Sequence, residues 1–246
     1  MTTPTPTHPP DASRAPDPFD ERAVVMHTWS IQADWNAPTI VGGLDAQFWD
    51  DQGNTYIDMS SMAECSNLGH QHPRVVEAIR RQAGEMCFVT SAWGSKPRAE
   101  LAARLLEVSG FQGGRVFFTL AGADANENAV KFARWATDRP VGKIITRYRS
   151  YHGATQAAME FSGDNRGWTY APGTPNVVHA VPPYCYRCPL GLHYDSCGIR
   201  CVDHVADVIE WEGPGAVSAV LMEPQAGTNG IVAPPEYWPR LREICN

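Results

Sequence analysis

A helix that opens directly out of a small-residue turn can bind an anion, and one such turn stands out in this chain. In Arg115–Arg134 the apolar run Val116-Phe117-Phe118 leads into Ala121-Gly122-Ala123-Asp124-Ala125, and a helical pattern follows at once. The first amide N–H groups of such a helix have no intrahelical partner, and the helix dipole adds to their pull on a phosphate. Gly122 and Ala123 carry no bulk that would keep a phosphate off the backbone. Asp124 would oppose an anion if it pointed inward, so it is expected to turn aside as a first-turn carboxylate. A turn of this composition also serves packing alone, so the chemistry rests on what accompanies it.

Three further segments accompany it. They are Tyr56-Ile57-Asp58 running on to Asn67-Leu68-Gly69-His70-Gln71-His72-Pro73, then Tyr151-His152-Gly153, then Glu223-Pro224-Gln225-Ala226-Gly227-Thr228-Asn229-Gly230. Glu223 ends an apolar strand, and the C-terminal ends of parallel strands are where open α/β sheets bind ligands. In this order and spacing, from about Thr28 to Asn246, the chain resembles a class III aminotransferase, a fold-type-I enzyme dependent on pyridoxal phosphate.

The resemblance implies roles for particular residues. Gly122 and Ala123 would hold the cofactor phosphate through their amides. Tyr151 would stack on the pyridine ring, His152 would shape the site, and Gly153 would let the backbone pass closely. Glu223 would lie near the hydroxyl side of the cofactor. Asn67, with Glu64, would stand on the substrate side, and so would Thr228. Relatives that use 2-oxoglutarate often carry a glutamate at the position of Thr228. The chain therefore looks closer to the omega-amine:pyruvate and taurine:pyruvate branch, with an amine donor and a keto-acid acceptor such as pyruvate. A homodimer is the family's usual assembly. Class III relatives also include a decarboxylase, racemases and a mutase, which share the same cradle.

One family requirement is unmet. The lysines are Lys96, Lys131 and Lys143, and none matches the family's Schiff-base position. That lysine, and the aspartate that pairs with the pyridine nitrogen, lie beyond the helix Pro235–Asn246 in the family. The resemblance thus implies an N-terminal portion, catalytically incomplete as a 246-residue chain. A non-catalytic remnant that binds a ligand or a partner is the alternative reading.

The elements that must position these residues can be read from periodicity. A helix is expected over Phe19–Gln32. A β-meander follows over Thr39–Val41, Ala46–Trp49 and Thr55–Ile57, with Asp51-Gln52-Gly53-Asn54 as turn chemistry. Helices are expected over Pro73–Phe88, with Val75, Val76, Ile79 and Ala83 on one face, and over Pro97–Val108. Strands are expected at Arg115–Thr119, Lys143–Thr146, Asn176–His179 and Val217–Met222. Between and after them, helices are expected at Asn126–Thr137, Val202–Glu212 and Pro235–Cys245. That alternation predicts an α/β fold with a mostly parallel sheet and helices on both faces. The expected organisation is a disordered tail over 1–18, a small N-terminal α+β segment over 19–72, and an incomplete large cofactor-binding domain over 73–246.

Composition narrows the class. Apolar residues make up 43% of the chain, enough for a core, and the net charge of −7 argues against a general nucleic-acid or anionic-membrane surface. No apolar run is long enough to span a bilayer. Seven cysteines without an export signal point to free thiols in the cytoplasm. Cys185, Cys188, Cys197 and Cys201 have spacings that a tetrahedral zinc site could use, whereas the resemblance implies no structural metal. Cys65, Cys87 and Cys245 read as small core residues.

Overall fold

The computed structural model describes residues 20–111, 113–167, 173 and 175–246. The expected tail, Met1–Pro18, lies outside them. The chain divides into two compact units, Met1–Ala99 and Glu100–Asn246.

In the first unit, α1 (Glu21–Val24) is a single turn capped by the Asp20 carboxylate. The helix expected over Phe19–Gln32 is therefore not formed beyond that turn. Val25 is already extended, and Val24 and Met26 are exposed. Short helices draw their stability from a buried face, which this segment lacks, and its β-branched pair Val24-Val25 lowers helix propensity further. The meander is present as β1 (Ile40–Leu44), β2 (Gln47–Asp50) and β3 (Thr55–Ile57), antiparallel in that order. Asp50 anchors the β2–β3 turn. Its carboxylate accepts from the Gln52 and Asn54 amides, the Asn54 side chain and the Tyr56 hydroxyl, which together hold its pKa down at about 2.

After β3 comes α2 (Ser61–Glu64), a single turn wound left-handed, with φ between +47° and +63°. Left-handed winding costs roughly 1–2 kcal/mol per residue for side chains with a Cβ. Asp58 offsets part of that cost, accepting from the Ser60 and Met62 amides through one carboxylate oxygen. Its other oxygen meets His70 Nε2 at 2.8 Å. The helix α3 (Pro73–Glu85) has proline in its first turn, as expected. Cys65 and Cys87 are exposed in this unit rather than core, as is Cys245 in the second unit. Nothing in a free cysteine's chemistry compels burial, and local contacts decide it.

The helix α4 (Lys96–Ser109) leads into the second unit. There α5 (Gly122–Ala136), β4 (Lys143–Arg147), α6 (Gln156–Phe161), β5 (Val177–Ala180), α7 (Arg200–Glu212) and β6 (Val217–Val220) follow in order. A short antiparallel hairpin, β7 (Gln225–Ala226) and β8 (Ile231–Val232), precedes α8 (Tyr237–Cys245). The main sheet has the order β5-β4-β6, and both pairings are parallel.

Central strand β4 is buried on both faces, as parallel strands under helical layers are. Successive side chains point to opposite faces. Ile144 accordingly packs with Val130, Ala158 and Phe161 from α5 and α6. Ile145 packs with Val202, Val205, Val208, Tyr237 and Leu241 from α7 and α8. Full burial of each such aliphatic side chain contributes about 1.5–3 kcal/mol. The fold class read from the sequence is thus the one observed, an α/β layer structure with helices on both faces of a parallel sheet.

Arg115–Thr119 differs from expectation. It is not a strand, because no described strand pairs with it, and Phe117 and Phe118 are exposed. A strand is defined by its ladder partner, which propensity does not supply. The structure also adds α6, which has no counterpart in the periodicity reading. No helix among the described residues is long and apolar enough to cross a membrane.

Candidate active site at the C-terminal edge of the parallel sheet

The α5 N-terminus is the first component. Ala121 is the N-cap residue, extended at φ −155°, and contributes no side-chain cap. The first turn closes with Ala125 N–H donating to Ala121 O at 3.0 Å. The amides of Gly122, Ala123 and Asp124 precede that bond, so the helix supplies them no acceptor. The space where a Gly122 side chain would stand is open. Asp124 does turn aside. Its carboxylate accepts from the Leu120 amide at 3.3 Å and from the Asn128 side chain at 2.8 Å.

The segment Tyr151-His152-Gly153 packs directly on that helix start. Gly153 has φ +134°, and a Cβ there would lie 2.5 Å from Ala123 Cβ and 2.8 Å from Ala123 Cα. Only glycine allows this approach. Asn126, one turn into α5, donates to His152 O at 2.7 Å and holds the two segments in register. His152 is buried. Its amide donates to Ser162 Oγ at 2.8 Å, and its Nε2 lies 3.4 Å from Thr146 Oγ1. Burial, reinforced by the Arg147 guanidinium and by the neighbouring His179 imidazole, pushes its pKa down to about 4. The imidazole is therefore neutral at physiological pH.

Glu223 stands just after β6 and closes the arrangement. One carboxylate oxygen accepts from the Tyr151 amide at 2.9 Å and the other from the Gly227 amide at 3.2 Å. Its backbone oxygen accepts from the guanidinium of Arg147, a fully buried side chain at the end of β4. The Arg147 Nε and Nη1 atoms have no hydrogen-bond partner among the described residues, and burial lowers its pKa. Thr228 is at the exposed tip of the β7–β8 hairpin, where Thr228 Oγ1 accepts from the neighbouring Asn229 amide group. Asn229 also donates to Arg149 O at 3.2 Å, tying the hairpin to the chain just before Tyr151.

Gly122, Ala123, Tyr151, His152 and Glu223 are therefore brought together within the second unit. Asn67 belongs to the first unit. It is exposed in the turn that Gly69 N–H closes on Ser66 O at 2.8 Å. Sequence reasoning missed Asn126, Arg147, Ser162 and Arg166. The last lies over the Tyr151 ring, with its guanidinium carbon 4.2 Å from the ring centroid. No spacing signal marks any of the four. Of the lysines, Lys131 bonds Asn128 and lies over the Phe132 and Trp135 rings, and Lys143 pairs with Glu212.

A family model for class-III aminotransferases matches residues 35–246. The chain belongs to the class III aminotransferase family. Members of this family depend on pyridoxal phosphate. A leucine/methionine racemase of Thermococcus litoralis is 36% identical over 215 residues, 85% of this chain and 48% of the racemase. A hypotaurine/taurine–pyruvate aminotransferase of Paracoccus denitrificans is 33% identical over 236 residues, 92% of this chain and 50% of that enzyme. Among solved structures, a taurine:2-oxoglutarate aminotransferase of Bifidobacterium kashiwanohense, in complex with pyridoxal phosphate and glutamate, superposes with TM-score 0.85 at 39% identity. That match covers 92% of this chain and 51% of the other. The chain spans about half the length of the curated relatives it matches.

The second unit offers a phosphorylated pyridine open helix-terminal amides, with the Tyr151-His152-Gly153 segment packed against them through Gly153. The cysteine loop stands apart. Cys185, Cys188, Cys197 and Cys201 line one small cavity as free thiols, and burial pushes Cys201 up to about 11. Among the described residues, no group of three or more His, Cys, Asp or Glu is arranged to hold a metal ion.

Proposed function

We propose that the whole protein is a pyridoxal-phosphate-dependent transaminase. It moves an amino group from an amine or omega-amino acid to a keto acid such as pyruvate, and it works as a homodimer. The observation that carries this reading is the convergence of two motif segments on the α5 N-terminus, with Gly153 against Ala123 and Glu223 on the Tyr151 amide.

In this reading the Gly122 and Ala123 amides bind the cofactor phosphate, and Tyr151 covers one face of its ring. The bound cofactor supplies an electron sink for charge that develops beside the amine nitrogen. Neutral His152 fills space below the ring without adding a competing charge. Glu223 latches Tyr151 and the β7–β8 hairpin to the end of β6, so that the ring face and the substrate-side turn bearing Thr228 move as one. Thr228 stands on the substrate side, and Asn67, in the first unit, is the other residue that the family resemblance assigns to the substrate.

The Paracoccus relative named for taurine and pyruvate supports the donor and acceptor classes. The structural neighbour named for 2-oxoglutarate makes the acceptor the point to test. The whole protein, supplied with pyridoxal phosphate, should form alanine from pyruvate with taurine or β-alanine as donor. Faster formation of glutamate from 2-oxoglutarate would overturn the acceptor assignment. Inversion of leucine without amino transfer would replace the transaminase reading with the racemase one, which the Thermococcus relative favours.

A further inference from the structure

Arg166 lies in the segment after α6, in a single 3-10 turn, Asn165–Gly167, outside the four motifs read from the sequence. The path of this segment is set by the chain it packs on. Gly163 exchanges backbone bonds with the residues preceding Tyr151. Arg149 N–H donates to Gly163 O at 2.7 Å, and Gly163 N–H donates to Ser150 O at 3.0 Å. A Cβ at Gly163 would fall 2.2 Å from Arg147 O, so the two strands of chain touch at backbone distance.

Asp164 then orients the arginine. Its Oδ1 accepts from the Arg166 amide at 3.0 Å, and its Oδ2 accepts from Nε at 2.6 Å and from Nη2. Asp164 is largely shielded from solvent, with 9% of its side chain exposed. Two donors of one guanidinium on a single shielded carboxylate hold the fork in place. The fork lies over Tyr151, its carbon 4.2 Å from the ring centroid.

We propose that Arg166, oriented by Asp164, is a positioning residue that backs the Tyr151 ring and holds its plane for the cofactor on the opposite face. This rests on the cofactor site proposed above. A guanidinium over an aromatic face is drawn to the negative face of the ring quadrupole. A ring held on one side has one orientation to offer on the other, so the preorganisation appears as ligand affinity. Arg166 touches Tyr151, and its effect on the ligand passes through that ring.

The test is a double-mutant cycle on the whole protein with pyridoxamine 5′-phosphate, whose amine forms no covalent bond to a lysine. Equilibrium binding and the induced circular dichroism of the bound ligand are the readouts. Arg166→Ala should weaken binding about three- to tenfold and reduce the induced dichroism. Arg166→Lys, which keeps the cation, should restore part of both. In a Tyr151→Ala background, Arg166→Ala should change affinity less than about twofold. Asp164→Asn should give a smaller loss in the same direction, and it carries the test with Arg166→Lys if Arg166→Ala fails to fold. Unchanged or tighter binding by Arg166→Ala, or additive losses with Tyr151→Ala, would overturn the inference while leaving the cofactor site intact. A wild-type protein that binds no pyridoxamine phosphate would remove both.

Discussion

Replacing Gly153 with alanine tests the contact that joins two of the motifs. The added Cβ would stand 2.5 Å from Ala123 Cβ, 2.8 Å from Ala123 Cα and 3.0 Å from Ala158 Cβ. The first two are closer than carbon atoms approach, and the second is backbone. Ala123 has little room to retreat, because it lies in the first turn of α5, which Asn126 ties to His152 O. Overpacking of this kind costs about 1–3 kcal/mol. The φ of +134° adds a conformational cost of similar size, about 1–3 kcal/mol. Together they predict a loss of about 2–6 kcal/mol, a large fraction of the roughly 5–15 kcal/mol that stabilises a typical domain.

A second substitution separates the two terms. Ala123→Gly in the Gly153→Ala background removes the 2.5 Å clash between side chains, and leaves both the clash with the Ala123 backbone and the φ strain. It should recover no more than about half of the loss. Urea unfolding followed by far-ultraviolet circular dichroism gives the stabilities, and binding of pyridoxamine phosphate reports the cradle. A Gly153→Ala variant within about 0.5 kcal/mol of wild type, with unchanged affinity, would refute the argument. Full recovery in the double variant would refute its strain term.

Two other predictions address the anion cradle and the buried histidine. Gly122→Pro deletes one amide donor at the first position of α5, where proline is tolerated and where extended Ala121 suits a following proline. Phosphate-ligand affinity should fall about tenfold or more, the worth of one charge-assisted bond, with little change in unfolding midpoint; an unchanged affinity would show that this amide does not face the ligand. For His152, the folded pKa of about 4 lies below the ordinary value near 6.5. As pH falls the unfolded chain binds the proton first, so stability declines from about pH 6.5 to about pH 4, by a few kcal/mol in all, and levels off below. His152→Gln should flatten that part of the urea-midpoint profile, and parallel profiles for variant and wild type would contradict the assignment.

Legibility in the sequence followed the range of the forces involved. The Gly122-Ala123 turn, the meander and the α5 start are local: free amides, turn residues and alternation declare them within a few positions. Parallel strand β4 was readable because burial on both faces demands an apolar run, and half-buried β5 and β6 carry the same apolar bias. Phe19–Gln32 misled for the converse reason. Its composition permits a helix, but a helix of that length needs a buried face, and the described residues of this segment have none. Arg115–Thr119 has strand propensity and no described ladder partner. Arg166 carried no signal, because an arginine in an irregular loop is an ordinary surface charge until Asp164 and Tyr151 are seen around it.

Residue types and their order alone settled which chemistry this chain resembles, since four motifs in fixed succession need no coordinates to be compared. They also settled the layer architecture, because helix and strand periods differ and alternate here. Tertiary structure decided how the motifs cooperate. Glu223 and Tyr151 are 72 residues apart along the chain, and their bond exists only because β4 and β6 lie side by side in the sheet. Contacts between distant segments depend on strand order, register and close backbone approach, and none of these is written in the residues that end up touching.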